Sequence, residues 1–200
     1  MSAPGTKTLE FWYEFASTYS YPAAMRLEGE ARKTGIEVRW RPFLLGPIFG
    51  AQGWNDSPFN IYPAKGKYMW RDMERICERQ GLTLKEPVRF PQNGLRAARI
   101  VLALPEALRP AFTREVYVAN FAAQKDISDE DVLARLLVAL EVEPRPVLEK
   151  AGGDEVKAAL KAQTDEAIAK GIFGAPSFVV GEELFWGNDR LEQALDWARG

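Results

Sequence analysis

Strict alternation of apolar and polar residues occurs only near the two ends of this chain, and the long stretch between them is helical in period. From Thr8 to Phe15, Leu9, Phe11, Tyr13 and Phe15 fall on one face and Glu10, Trp12 and Glu14 on the other, as a strand requires. The polar turn Ala16-Ser17-Thr18-Tyr19-Ser20 leads into a predicted helix from about Pro22 to Thr34, with Ala24, Leu27 and Ala31 on one side and Pro22 in its first turn. Gly35 stops it. Ile36, Val38 and Trp40 then alternate with Glu37, Arg39 and Arg41 until Pro42 closes a second strand. Near the other end, Ser177-Phe178-Val179-Val180, a Gly181-Glu182 turn and Glu183-Leu184-Phe185-Trp186 spell a β-hairpin. A last helix follows, with the stripe Leu191, Ala194, Leu195 and Ala198, which Asn188 or Asp189 is suited to cap. The order is βαβ, helices, ββα.

The middle begins with Gly46 to Pro63, whose glycines and prolines predict an irregular loop held by aromatic anchors. Helices are expected over roughly Lys65 to Gln80 with Gly81 as C-cap, Gly94 to Leu104, Pro110 to Gln124, Asp129 to Leu140 with Ser128 as N-cap, and Asp154 to Lys170 with Gly171 as C-cap. There is no internal repeat, low-complexity run or Gly/Ser linker.

Composition removes most chemistries. The 200 residues contain no His and a single Cys, Cys77, so Ser-His-Asp hydrolysis, Cys-His nucleophiles, His-bound metals and intramolecular dithiol exchange are excluded, and no metal site is expected. A formal net charge of -2 supplies no basic field for nucleic acid or anionic membrane. No apolar run is long enough to span a bilayer. Met1 to Lys7 lack the basic and apolar regions of a secretory signal, and the expected location is the cytoplasm.

A βαβ unit and a ββα unit, with a proline-bearing loop before the third strand, form the plan of a thioredoxin-like α/β fold, here with a large all-helical insertion between the two halves. Residues 1–45 and 172–200 are expected to form the thioredoxin-like domain, and residues 46–171 the inserted loop and helical domain. Three segments carry a closer resemblance: Phe15-Ala16-Ser17-Thr18-Tyr19-Ser20-Tyr21-Pro22, Gly171-Ile172-Phe173-Gly174-Ala175-Pro176-Ser177-Phe178, and Leu184-Phe185-Trp186-Gly187-Asn188-Asp189-Arg190-Leu191. The insert adds Lys65-Gly66-Lys67-Tyr68 with Asp72 and Arg75, and Pro91-Gln92-Asn93-Gly94-Leu95-Arg96. Together they resemble the 2-hydroxychromene-2-carboxylate isomerase family, which stands with kappa-class glutathione transferases in the DsbA-like branch of the thioredoxin superfamily. That family commonly has proline where this chain has Thr18, which frees a dihedral angle and adds an N–H donor.

In thioredoxin-like folds the turn after the first strand presents a cysteine at a helix N-terminus, where backbone N–H groups favour a thiolate. Here Ser17-x-x-Ser20 stands there. With no base beside it a serine is a poor nucleophile, but its hydroxyl can donate to a thiolate brought by another molecule and lower that thiol's pKa. The resemblance implies that this molecule is glutathione, acting as a cofactor on a small aromatic substrate. It further implies interconversion of 2-hydroxychromene-2-carboxylate and trans-o-hydroxybenzylidenepyruvate, a step of bacterial naphthalene degradation, in a homodimer.

By the same resemblance Ser17 is catalytic, and Ala175, a cis Pro176, Asn188, Asp189 and Lys65 bind the cofactor. Tyr19, Phe43, Trp54, Asn60, Tyr68 and Asn93 are candidates for the substrate pocket. Each has a plainer reading: helix capping for Ser17, Asn93, Asn188 and Asp189, a solvated side chain for Lys65, and core or loop anchoring for the aromatics. Ser20 is the expected cap of the first helix, Trp186 an expected core residue, Arg96 and Arg99 solvated, and Cys77 a structural thiol. Two other functions suit the same residues: a kappa-type glutathione transferase or reductase, and a thioredoxin-fold module that binds glutathione or peptide without turnover.

Overall fold

The structure is a computed structural model and describes residues 8–200; Met1 to Lys7, with the expectation placed on them, lie outside the described residues. Strand β1 (Thr8–Tyr13) pairs in parallel with β2 (Glu37–Pro42), Phe11 opposite Trp40, and antiparallel with β3 (Ser177–Val180), Phe11 opposite Phe178. With β4 (Glu183–Trp186) the order is β2-β1-β3-β4. A parallel pair needs a crossover, which α1 (Ser20–Thr34) supplies. The β3–β4 hairpin turns at Gly181, where φ is 61°, a value that glycine takes without a Cβ penalty. This is the thioredoxin-like order expected, with the helical insertion between its halves.

The insertion differs in detail. The expected irregular loop holds two helices, α2 (Leu45–Ala51) and α3 (Pro58–Ile61), the latter started by the Ser57 hydroxyl, which accepts from the Phe59 N–H at 3.3 Å. Helices α4 (Pro63–Gln80), α5 (Leu95–Ala103), α6 (Arg109–Phe121), α7 (Glu130–Ala139) and α9 (Asp154–Ala169) fall where periodicity put them, and α10 (Leu191–Arg199) closes the chain. Helix α8 (Pro144–Gly152) was not foreseen. Its prolines read as breakers, yet both Pro144 and Pro146 stand in the first turn, where no N–H is needed. The cap of α7 is Asp129, which accepts from the Asp131 N–H at 2.9 Å; the Ser128 hydroxyl instead donates to Asp126 at 2.6 Å.

Helices cover both faces of the sheet, which corrects the expected polar side of β1. Leu9, Phe11 and Tyr13 join α1, α10 and the helices of the insert in one continuous core, whereas Trp12, fully buried on the opposite face, packs with Phe43, Ile48, Ala167 and Ile172. Sheets covered on both faces lose clean alternation, and Glu10 masked this by reaching round to accept from Trp12 Nε1 at 3.1 Å. Helix α6 reaches the end of β1: Tyr117 donates its phenol to the Glu14 carbonyl at 2.9 Å and Asn120 its amide to the Phe15 carbonyl at 3.0 Å. Buried main-chain carbonyls of a turn need such partners, and these two hold the turn in place. Cys77 is buried in α4, where desolvation pushes its thiol up to about 11, as befits a structural thiol.

Candidate active site

The turn after β1 is built around its own polar groups. The Ser17 N–H donates to the Glu14 carbonyl at 3.0 Å and the Ala16 N–H to Glu14 Oε2 at 2.9 Å. Ser17 Oγ accepts from the Ser20 N–H at 3.3 Å and so satisfies the first N–H of α1, while Tyr19 holds the N-cap position with no side-chain cap. The expected cap, Ser20, is fully buried inside the helix and its hydroxyl has no partner among the described residues. Ser17 Oγ also donates to the Ala175 carbonyl at 2.8 Å, across 158 positions of sequence, and the Ala175–Pro176 peptide is cis. Thr18, in the place of the family's proline, is buried and donates to Met69 Sδ at 3.0 Å, tying the turn to α4.

Ser17 and Ala175 lie on the wall of a cavity of about 1410 Å³. The wall also holds Lys65, Asn188, Asp189, Tyr19, Trp54 and Asn93, so eight of the residues singled out from sequence meet there. Pro176 stands behind Ala175, and Phe43, Asn60 and Tyr68 are not part of the wall. Phe43 is fully buried against Trp12, with ring centroids 6.1 Å apart. Asn60 braces α3 by donating to Asp56 and to the Phe90 carbonyl at 3.1 Å. Tyr68 is 62% exposed and, unlike Lys65, does not line the cavity.

Asn93 accepts from the Leu95 N–H at 3.0 Å and so caps α5 while facing the cavity. Asn188 and Asp189 make no cap for α10; they form a short 3-10 turn, and the buried Asn188 is held by Arg26, which donates to its carbonyl and pairs with Glu192. Lys65 lies over the Tyr62 ring, 4.7 Å from its centroid. Lys65, Arg75 and Arg79 all face the cavity, and none has a carboxylate partner among the described residues. Tyr19 donates to Asp72 Oδ2 at 3.0 Å, and burial, with Asp72 beside it, raises its phenol far above the usual range.

Among the wall residues that the sequence reading did not assign to a site are Trp186 and Glu14. Trp186, expected in the core, is 53% exposed and packs on Phe173 with centroids 4.9 Å apart. Its position beside the Gly174 backbone is the missed signal: a Cβ on Gly174 would stand 2.5 Å from the indole nitrogen. Glu14, read as polar-face, is buried in the wall, and burial pushes its carboxyl up to about 7 against the opposing hydrogen bond from Ala16. Gly94 closes over it, since a Cβ there would lie 2.9 Å from Glu14 Oε1 and 2.8 Å from the Phe15 Cβ. Gly94→Ala is therefore expected to destabilise the fold by roughly 1–2 kcal/mol through overpacking, read as a lowered urea midpoint. An unchanged midpoint would mean that the start of α5 does not press on this turn.

No group of His, Cys, Asp and Glu among the described residues is arranged to hold a metal ion. The groups that remain can bind anions through the three cations, donate one hydroxyl at a helix N-terminus, and hold a proton on Glu14.

Comparison with known proteins agrees with this arrangement. Residues 8–197 match the DSBA-like thioredoxin domain family. A 2-hydroxychromene-2-carboxylate isomerase of Sphingobium xenophagum is 31% identical over 193 residues, covering 94% of this chain and 95% of that protein. Glutathione s-transferase kappa 2 of Caenorhabditis elegans is 26% identical, covering 97% and 92%. Among solved structures, a 2-hydroxychromene-2-carboxylate isomerase superposes with a TM-score of 0.86 at 24% identity, covering 95% of this chain and 93% of that one. The cytosolic disulfide reductase DsbM of Pseudomonas aeruginosa, solved with GSH, superposes at 0.65 and 17% identity, covering 96% and 95%. With a sheet of thioredoxin order, a serine at the head of α1 and these full-length likenesses, the chain belongs to the DSBA-like thioredoxin domain family, alongside the 2-hydroxychromene-2-carboxylate isomerases and kappa-class glutathione transferases.

Proposed function

We propose that the protein is a glutathione-dependent isomerase of aromatic 2-oxo acids, interconverting 2-hydroxychromene-2-carboxylate and trans-o-hydroxybenzylidenepyruvate or a close relative. The observation that carries this reading is the Ser17 hydroxyl, set at the N-terminus of α1 against the Ala175 carbonyl, on the wall of a cavity that holds no cysteine of its own. Lys65, Arg75 and Arg79 fit a ligand rich in carboxylates, and the Ala175 carbonyl fits a peptide-like one. Trp54, Phe59 and Trp186 fit an aromatic acid.

Glutathione held by Lys65, Asn188, Asp189 and the Ala175 backbone would supply a thiolate able to add reversibly to an unsaturated carbon. Ser17 donates its O–H to the developing negative charge, turning from Ala175 to do so, while the first N–H groups of α1 favour the anion. The unpaired cations would orient the carboxylates. A homodimer and a cytoplasmic setting, where glutathione is kept reduced, belong to the same proposal.

The test is the ultraviolet thiolate absorbance of glutathione titrated with the protein, which is expected to show a lowered apparent pKa. No shift would overturn thiolate activation. Glutathione recovered intact after conversion of the chromene carboxylate supports the isomerase; stoichiometric consumption supports a kappa-type transferase.

A further inference from the structure

Glu14 is the one carboxylate side chain that is buried among the described residues, and it is buried in the wall of the active-site cavity. It stands three positions before Ser17 in the same turn, and its two oxygens are differently placed. Oε2 is held by the Ala16 N–H at 2.9 Å; Oε1 lies against Gly94 and makes no hydrogen bond to the described residues. The groups that face the carboxyl are few. From its own turn there is the Ala16 N–H, from the start of α5 the Gly94 backbone, and from α6 the Tyr117 phenol, which donates to the Glu14 carbonyl. Tyr117 is itself kept protonated by burial, then by Tyr13 and Glu14. Arg26, Lys65, Arg75 and Arg79 share the cavity, yet none forms an ion pair with Glu14 among the described residues. A buried carboxyl left without a cation is costly to keep ionised, so its ionised form works against the stability of the fold.

The proposed chemistry needs a place for one proton. Forming a thiolate from a bound thiol releases it, and restoring the thiol requires it back. The chain has no histidine, a serine hydroxyl is no base at neutral pH, and Tyr19 is held protonated by burial and by Asp72. We propose that Glu14 is a catalytic residue: its carboxylate takes the sulfhydryl proton as the thiolate forms beside Ser17, keeps it while the carbon–sulfur bond exists, and returns it on release. The S–H bond breaks, an O–H bond forms on Oε1, no electron is gained or lost, and no further reactant is consumed. Burial pushes this carboxyl up to about 7, so it is near half-ionised at neutrality, and an arriving thiolate raises it further because two anions in one site do not both persist. The inference rests on the glutathione reading given above.

The experiment is difference infrared spectroscopy slightly above neutral pH, recorded with the thiolate absorbance as glutathione is added. A protonated-carboxyl band is expected to appear together with the thiolate absorbance. It should be absent with S-methylglutathione, which has no thiol proton, and absent in Glu14→Gln, whose thiol proton must then pass to solvent, read as about one proton released per thiolate formed to an indicator dye in weak buffer. Thiolate absorbance without a new carboxyl band, or the same proton release to solvent in the wild type as in folded Glu14→Gln, would overturn the role of Glu14 and leave the glutathione reading standing. Absence of both signals in the wild type would overturn both. Should Glu14→Gln fail to fold, the wild-type contrast between glutathione and its S-methyl form decides the matter.

Discussion

Ser17→Ala is expected to lower turnover in the proposed isomerisation by roughly 10²–10³ while the fold persists, because it removes the hydroxyl that the proposed mechanism turns from the Ala175 carbonyl to the developing anion. The hydroxyl has two partners in the structure, the Ala175 carbonyl at 2.8 Å and the Ser20 N–H at 3.3 Å, so its loss also leaves the first N–H of α1 without its side-chain acceptor, a capping contact. That part is worth about 1 kcal/mol, a small share of the stability of a domain of this size. The two effects separate cleanly. A urea titration reads the cap, and kcat at saturating glutathione together with the thiolate pKa reads the donor. Turnover within a few-fold of wild type would assign Ser17 to capping alone, the plainer of its two readings.

Glu14→Gln is expected to stabilise the protein at pH 8 by about 3 kcal/mol and to leave it nearly unchanged at pH 4. The sign follows from proton uptake. Burial raises the carboxyl from 4.5 to about 7, so between these values the folded state binds the proton and the unfolded state has released it. Folding is therefore favoured fully below pH 4.5, and that contribution is lost as pH rises through 7. Glutamine carries no charge to desolvate and keeps an oxygen for the Ala16 N–H, so the loss does not occur in the variant. Urea unfolding of both proteins across this range checks it. Parallel pH curves would mean that Glu14 ionises alike in both states. A substitution that gains stability while losing turnover is the pattern of a group retained for chemistry.

The element order was legible because burial on one side of an element leaves a period in the sequence, 2 for β1 and the β3–β4 hairpin, near 3.6 for α4 to α7. Where both sides are covered the period fails, and Trp12, which shares a strand face with Glu10 and Glu14, is fully buried. Helix α8 was missed because a proline is scored as a breaker until its place within the first turn is known. Of the site, Ser17, Ala175, Asn188, Asp189, Lys65, Tyr19, Trp54 and Asn93 meet in one cavity. Phe43, Asn60 and Tyr68 do not, since which way a side chain turns depends on what the next element offers it. Ser17 and Ser20 show the same limit at a single turn: either serine suits a helix start by composition, and the start of α1 relative to the turn decides which caps it.

The absent histidine and the single Cys77 determined from sequence alone that a thiol chemistry here must draw its sulfur from outside the chain. The order βαβ, helices, ββα determined that Ser17 would stand at the head of a helix. Only the tertiary structure decided that Ala175 comes within 2.8 Å of Ser17, and that Glu14 turns away from solvent into the cavity. The reason is physical. Periodicity records the faces of one element, whereas the ionisation of Glu14 is set by what closes over it, and the groups that do so, Gly94 and Tyr117, belong to segments about eighty and one hundred residues away in sequence.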